Sequence, residues 1–328
     1  MQIKIRSEKT ADYTSIANVT YEAFLGWHPD NQYVSEPVLV DLLRHNSCFN
    51  PELSLVAEMD NKIVGHALFS PYKFVVQGSE TMGAVLAPIA VLPEYQGKGI
   101  GERLIEEGHY RLKKLGYTFS LLCGHDTYYP RFGYKTKMFS ASGTIVNLNH
   151  EEFDCGLYSI RPVFQKDLPW IIKMWHVRHK ADPLALFPGE NISEWNNHGI
   201  GARASLILKD NKNIGYIRYN NSNYRVKELL ADNEHVCEIL KYLTAIKHGK
   251  PKGELHTLLS YDCLYPLIKN EENIDISDES TAYTAFMIKV LSEDTLIEEY
   301  CEKIEKGAAN PGIVVFPPAF DIEDGRVD

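Results

Sequence analysis

Gln96, Gly97, Gly99 and Gly101 fall within six residues of each other in Pro93-Glu-Tyr-Gln-Gly-Lys-Gly-Ile-Gly101, a composition suited to holding an anion. Ahead of this run the apolar residues 84–91 read as a strand. Behind it, residues 99–115 read as a helix with Leu104, Ile105, Leu112 and Leu115 as its buried stripe and Gly116 as its stop. A strand, a glycine turn and a helix N-terminus leave backbone N–H groups unpaired at the positive end of a dipole, and glycines let a phosphate approach the main chain. A Walker loop needs Ser or Thr after its Gly-Lys, whereas Lys98 is followed by Gly99. A dinucleotide fold needs an acid at the end of the next strand, whereas the strand at 119–123 ends in Gly124 and His125.

Two other groups of reactive residues carry less. His176 and His179 share a helical face and His198 follows, but no carboxylate or cysteine joins them at ligand spacing, so no metal site is expected. The cysteines at 48, 123, 155, 237, 263 and 301 contain no close pair and read as reduced, mostly structural thiols.

The elements that position the turn belong to a duplicated chain. With 328 residues, the protein is long enough for two domains. Ile5-Arg6, Asp12 and Ile16 recur as Ile160-Arg161, Asp167 and Ile171. Asp60-Asn61-Lys62 with Gly65 recurs as Asp210-Asn211-Lys212 with Gly215, and Asp126, Tyr129 and Pro130 recur as Asp262, Tyr265 and Pro266. Each copy opens strand then helix, follows with a hairpin turning on Asp-Asn, and ends on an Asp-x-x-Tyr-Pro segment. The last offset is 14 residues shorter than the one before it, so the second copy lacks material where the first carries its glycine run. The boundaries expected are 1–155, 156–290 and a tail of 291–328 whose helix Ser292 caps and Gly307 ends.

The wording Gln96-x-x-Gly99-x-Gly101 resembles the acyl-CoA pyrophosphate turn of the GCN5-related N-acetyltransferase (GNAT) superfamily, and the resemblance runs the length of the first copy. It implies an α/β fold: two GNAT-like domains, each a twisted, mainly antiparallel sheet flanked by helices, the second degenerate because 227–236 has no glycine. Acetyl-CoA is the implied co-substrate. Gln96, Gly97, Lys98, Gly99, Ile100 and Gly101 would hold its pyrophosphate, and the backbone of Ile89, Ala90 and Val91 its pantetheine arm. Pro88 removes one ladder donor from that strand, consistent with an edge, bulge or splay. Tyr129-Pro-Arg-Phe-Gly133 is similar to the family segment whose tyrosine protonates the departing thiolate, which puts Tyr129 first for the role of general acid, with Tyr128 as the alternative and a purely packing role for Tyr129 still open. Arg131 and Phe132 read as structural. Glu22, Trp27, His28, Asp30, His125 and Asp126 are the candidates for binding and deprotonating the acceptor, with no single base assigned.

The resulting expectation is a cytoplasmic acetyl-CoA-dependent N-acetyltransferase acting on a small-molecule amine in a ternary complex. A protein amine as acceptor, or an acyl-CoA-binding regulator without turnover, stays open, as does a homodimer. A net charge of −10 argues against nucleic acid or an anionic membrane as partner. Most of it sits in the tail, at −7, and therefore says little about the acceptor.

Overall fold

The computed structural model describes residues 3–27, 33–281, 283–293 and 295–322. The chain divides into two compact units, one comprising Met1–Val76, Glu80–Met138 and Tyr283–Asn310, the other Gln77–Ser79, Phe139–Ala282 and Pro311–Asp328. Among the described residues no helix is long and apolar enough to cross a membrane.

The first unit opens with β1 (Lys4–Ser7), α1 (Tyr13–Phe24) and α2 (Glu36–Arg44), then β2 (Ser54–Met59), β3 (Lys62–Val76), β4 (Ser79–Val91), α3 (Ile100–Lys114) and β5 (Phe119–Cys123). The sheet runs β1-β2-β3-β4-β5 and closes on the strand Phe286–Val290, which pairs antiparallel with β5. β1–β2 and β2–β3 are antiparallel, and β4–β5 is parallel. α3 buries Ile100, Leu104, Ile105 and Leu112, while the expected fourth residue of that stripe, Leu115, lies past the last turn and stays exposed. Gly116, at φ +84°, stops the helix as expected. α3 rides close on β3 because Gly65 has no side chain: a Cβ there would lie 3.1 Å from Ile100 and 3.2 Å from Leu104.

The second unit contains β6 (Thr144–Asn149), β7 (Tyr158–Arg161), α4 (Leu168–His179), β8 (Leu184–Leu186), β9 (Ala202–Lys209), β10 (Lys212–Asn220), β11 (Val226–Ala231), α5 (Asn233–His248), β12 (Lys252–Thr257), α6 (Tyr261–Ile268) and β13 (Ile274–Asp278). Its sheet runs β13-β6-β12-β11-β10-β9-β7. The duplicated residues do the same work in both units. Arg6 pairs with Asp12 at 2.6 Å and Arg161 with Asp167 at 2.7 Å, and each aspartate also accepts the N–H three residues before it. Ile16 and Ile171 are fully buried. Asp60-Asn61 and Asp210-Asn211 all adopt positive φ in their turns, and Gly215 admits α5 as Gly65 admits α3, since a Cβ there would lie 2.6 Å from Ile239. The missing residues of the second copy are largely strand. β10 and β11 have 9 and 6 residues against 15 and 13 in β3 and β4.

The expected boundaries at 155 and 290 do not follow the compact units. Residues 144–149, assigned by sequence to the first copy, pair with β12 in the second sheet, and β14 (Phe286–Val290), assigned to the second, pairs with β5 in the first. The two copies thus exchange a strand. Thr295, not Ser292, holds the N-cap position of α7 (Leu296–Glu305), with its hydroxyl donating back to the Ser292 carbonyl instead of capping the helix; Gly307, at φ +66°, follows its end.

An ionic cluster ties α2 to the first sheet. Arg44 donates to both carboxylate oxygens of Glu8, at 3.0 and 2.8 Å, and stacks 3.9 Å over Tyr13. Buried His66 bonds to Ser54 at 3.0 Å, 3.7 Å from Glu8. Burial alone would raise the Glu8 carboxyl, but hydrogen bonds from His66, Arg44 and Ser54 outweigh it and hold the pKa at about 2. Burial, opposed by Glu8, lowers the pKa of His66 and favours its neutral form. In the unfolded chain Glu8 takes up its proton near 4.5, in the folded chain only near 2, so the stability it supplies is complete above pH 4.5 and is lost as pH falls toward 2. Glu8→Gln leaves buried Arg44 with only the exposed Asp41 as an ion-pair partner, and urea unfolding at pH 7 should show a loss of about 3 kcal/mol with a flatter acid limb. A chain ended after residue 155 loses β14 and leaves β5 with an open edge. Gel filtration and circular dichroism should find it aggregated or unfolded, and a soluble, cooperatively melting fragment would contradict the exchange.

Candidate active site

Pairing between β4 and β5 covers Gly83↔Phe119, Ala84↔Ser120 and Val85↔Leu121, whereas β4 itself continues to Val91. Beyond Val85 the two strands are unpaired, so the break implied by Pro88 is a splay. Along this free stretch Ile89 and Val91 are half-buried and Ala90 is buried, the alternation of a strand with one face in the core. The end of β4 is held on its other side, where Leu92 N–H donates to Val64 O at 3.0 Å. Gln96 Nε2 donates to Val91 O at 3.0 Å, which draws the glycine turn back over the strand end.

Gly97 and Gly99 have φ of +72° and +75°, a region that costs other residues about 1–2 kcal/mol. A Cβ at either position would meet nothing within 4 Å, so the space around both is open. Gly99 is the N-cap of α3, and the helix's first bond runs from Arg103 N–H to Gly99 O at 3.2 Å. The N–H groups of Ile100, Gly101 and Glu102 precede that bond and have no acceptor within the helix, which leaves donors for an anion. The Ile100 side chain is buried in the core. Lys98 is tethered to the turn: its ammonium donates to Glu94 O at 2.8 Å and sits 4.9 Å from the Tyr95 ring centre.

Facing α3 is the short 3-10 segment Tyr129–Phe132, entered through Gly124 at the end of β5. Gly124 makes room for Tyr129, since a Cβ there would lie 2.4 Å from the phenol ring. Tyr128 meets Tyr129 edge-on at 5.1 Å, and Tyr134 packs at 5.9 Å. Burial, then the neighbouring Tyr128 and Cys123, push the Tyr129 phenol well above its ordinary value of 10. Its hydroxyl has no hydrogen-bond partner among the described residues. The Tyr134 hydroxyl, by contrast, is engaged by Ser120 at 2.8 Å and His109 at 3.1 Å. Arg131 lies 4.6 Å over Tyr128 and donates to its carbonyl, and Phe132 packs on the core.

Of the acceptor candidates, the structure brings together Trp27 and His125, whose exposed rings are 4.8 Å apart. The His125 carbonyl also accepts the Tyr128 and Tyr129 N–H groups, which ties its backbone to the tyrosine turn. Asp126 accepts the Thr284 hydroxyl at 2.6 Å. Glu22 is exposed on α1 and forms no hydrogen bond or ion pair among the described residues. His28 and Asp30 lie outside the described residues. Both residues stand among the sequence candidates, but that their rings meet had no signal in the sequence, because nearly a hundred residues separate them.

In the second unit α5 starts at Asp232 with φ −65°, without a glycine turn, and Tyr265 stacks on Tyr261 within α6. His179 is held between Asp182 at 2.8 Å and Glu228 at 3.1 Å, His176 stacks on Phe187, and His198 bonds to Ser193 O. No group of metal-ligating side chains forms among the described residues.

Residues 4–136 match the model of the acetyltransferase (GNAT) domain family. The uncharacterized N-acetyltransferase YjhQ of Escherichia coli strain K12 is 41% identical over 103 residues, 31% of this chain and 57% of that protein. The uncharacterized N-acetyltransferase YhbS of the same strain is 34% identical over 102 residues, 31% of this chain and 59% of that protein. This chain therefore spans less than two thirds of either curated relative. The crystal structure of a GCN5-related N-acetyltransferase from Anabaena variabilis shares the fold across 89% of this chain and 73% of its own, with a TM-score of 0.63 at 15% identity. The matched domain, with its strand, glycine turn and helix in the order described, makes residues 4–136 a domain of the GNAT acetyltransferase family, and both halves of the chain share the fold of a GCN5-related N-acetyltransferase.

Proposed function

We propose that the protein is an acetyl-CoA-dependent N-acetyltransferase, that its first domain carries the chemistry, and that the acceptor is the primary amine of a small molecule in the cytoplasm. The observation that carries this reading is the unpartnered Tyr129 hydroxyl on the turn that faces the glycine turn of α3. The site fits the co-substrate on its own terms. The open space at Gly97 and Gly99 and the free N–H groups of α3 suit a pyrophosphate, and the edge of Ile89, Ala90 and Val91 that is unpaired toward β5 suits the amides of a pantetheine arm. Acetyl-CoA supplies an activated carbonyl whose leaving group is a thiolate.

Direct attack by the amine forms a C–N bond and breaks the C–S bond. The ammonium proton leaves to solvent or to a base near Trp27 and His125, and the sulfur needs a proton. Tyr129, raised by burial, stays protonated at working pH and donates to the sulfur as charge develops there. A phenol above 10 is a weaker acid than a thiol near about 8.5, so a free tyrosinate does not accumulate and the proton is replaced as the amine loses its own. The exposed Trp27–His125 pair supports an acceptor with an apolar or cationic body. The second domain, without a phosphate turn, has a structural part.

Tyr129→Phe keeps the ring packing and removes the proton. With a panel of amines followed by thiol release, kcat should fall about 10- to 100-fold while the Kd for acetyl-CoA changes less than twofold. Turnover with no change in kcat would remove Tyr129 from the chemistry. Binding of acetyl-CoA with no turnover on any amine, peptides included, would favour a regulator over an enzyme.

A further inference from the structure

Tyr128, adjacent to the proposed acid, points its hydroxyl at a different place. A Cβ built on Gly101 would lie 2.7 Å from the Tyr128 oxygen and 4.0 Å from Val91 Cγ2, so the phenol tip rests against the first turn of α3, at the end of β4. Among the described residues this hydroxyl has no hydrogen-bond partner, and the ring beneath it is fixed by Tyr129 and Phe132 edge-on and by Arg131 at 4.6 Å. The ring packs on the core while its oxygen reaches the helix N-terminus. The neighbouring donors there are the free N–H groups of Ile100, Gly101 and Glu102.

From this geometry we infer that Tyr128 is a cofactor-binding residue, its hydroxyl donating to a phosphate oxygen of the CoA pyrophosphate alongside the α3 N–H groups; the inference rests on the acetyl-CoA reading above. The two tyrosines of one turn then divide the labour, Tyr129 serving the sulfur and Tyr128 the phosphates. A neutral donor suits this place: burial raises the phenol, nearby Glu102 adds to that and Arg131 opposes it, so the group stays protonated beside an anion. Gly101 is part of the same device in this chain, because any side chain there would push the hydroxyl off the helix end.

The test compares acetyl-CoA with S-acetylpantetheine, which keeps the thioester and arm but lacks the pyrophosphate, by calorimetry on the full chain and its Tyr128→Phe variant. Loss of a hydrogen bond to a charged group predicts about tenfold weaker acetyl-CoA binding in Tyr128→Phe, with S-acetylpantetheine binding and the melting temperature unchanged. An equal loss for both ligands would mean that Tyr128 merely packs the turn, and no loss for either would mean that it touches no phosphate; each overturns the inference while leaving the enzyme reading intact. A wild-type chain that binds neither ligand would overturn both.

Discussion

The arrangement depends on where the pairing of β4 with β5 stops. Three residue pairs hold the strands together, and past Val85↔Leu121 each goes its own way. A sheet interior normally satisfies every backbone N–H and C=O, so strands that part in this way leave main-chain groups to be used by something else. The same divergence decides what stands at the two strand ends. One runs into the glycine turn and α3, the other into Gly124 and the tyrosine turn, whose Tyr128 oxygen reaches the first turn of that helix.

What keeps this opening from unravelling is packing at its flanks. Gly65 lets α3 sit against β3, Leu92 N–H anchors the end of β4 on Val64, and β14 completes the other edge of β5. The second unit repeats much of this frame, with Gly215 under α5 and an Arg161–Asp167 pair matching Arg6–Asp12. Its β11 and β12 meet in parallel at the single pair Val226↔Thr257. The residues that fold the chain thus recur in both units, and the glycine turn stands in one.

The sequence was most readable where chemistry is local. A glycine turn needs positive φ, and the residues that tolerate it, Gly97 and Gly99, are glycines for that reason. The Asp-Asn turns and the Arg–Asp pairs were visible as a repeat because each side chain acts within a few residues of itself. Long-range pairing was not readable. Residues 144–149 and 286–290 are both short apolar strands, and neither composition nor spacing says which sheet will take which. The contacts of Tyr128 and Trp27 were opaque for the same reason, since only the fold brings Tyr128 to Gly101 and Trp27 to His125. The helix at 296–305 was expected from its sequence, but its start was set too early, because Ser292 is by type at least as good an N-cap as Thr295.

The central claim is that one of two similar domains holds acetyl-CoA on its glycine turn. The stoichiometry of acetyl-CoA binding to the full chain, from equilibrium calorimetry at protein concentrations well above Kd, tests it most directly. One molecule per chain is the result this account predicts. Two per chain would mean that the second domain holds the cofactor without a glycine turn, and none at millimolar acetyl-CoA would mean that the turn has lost its ligand.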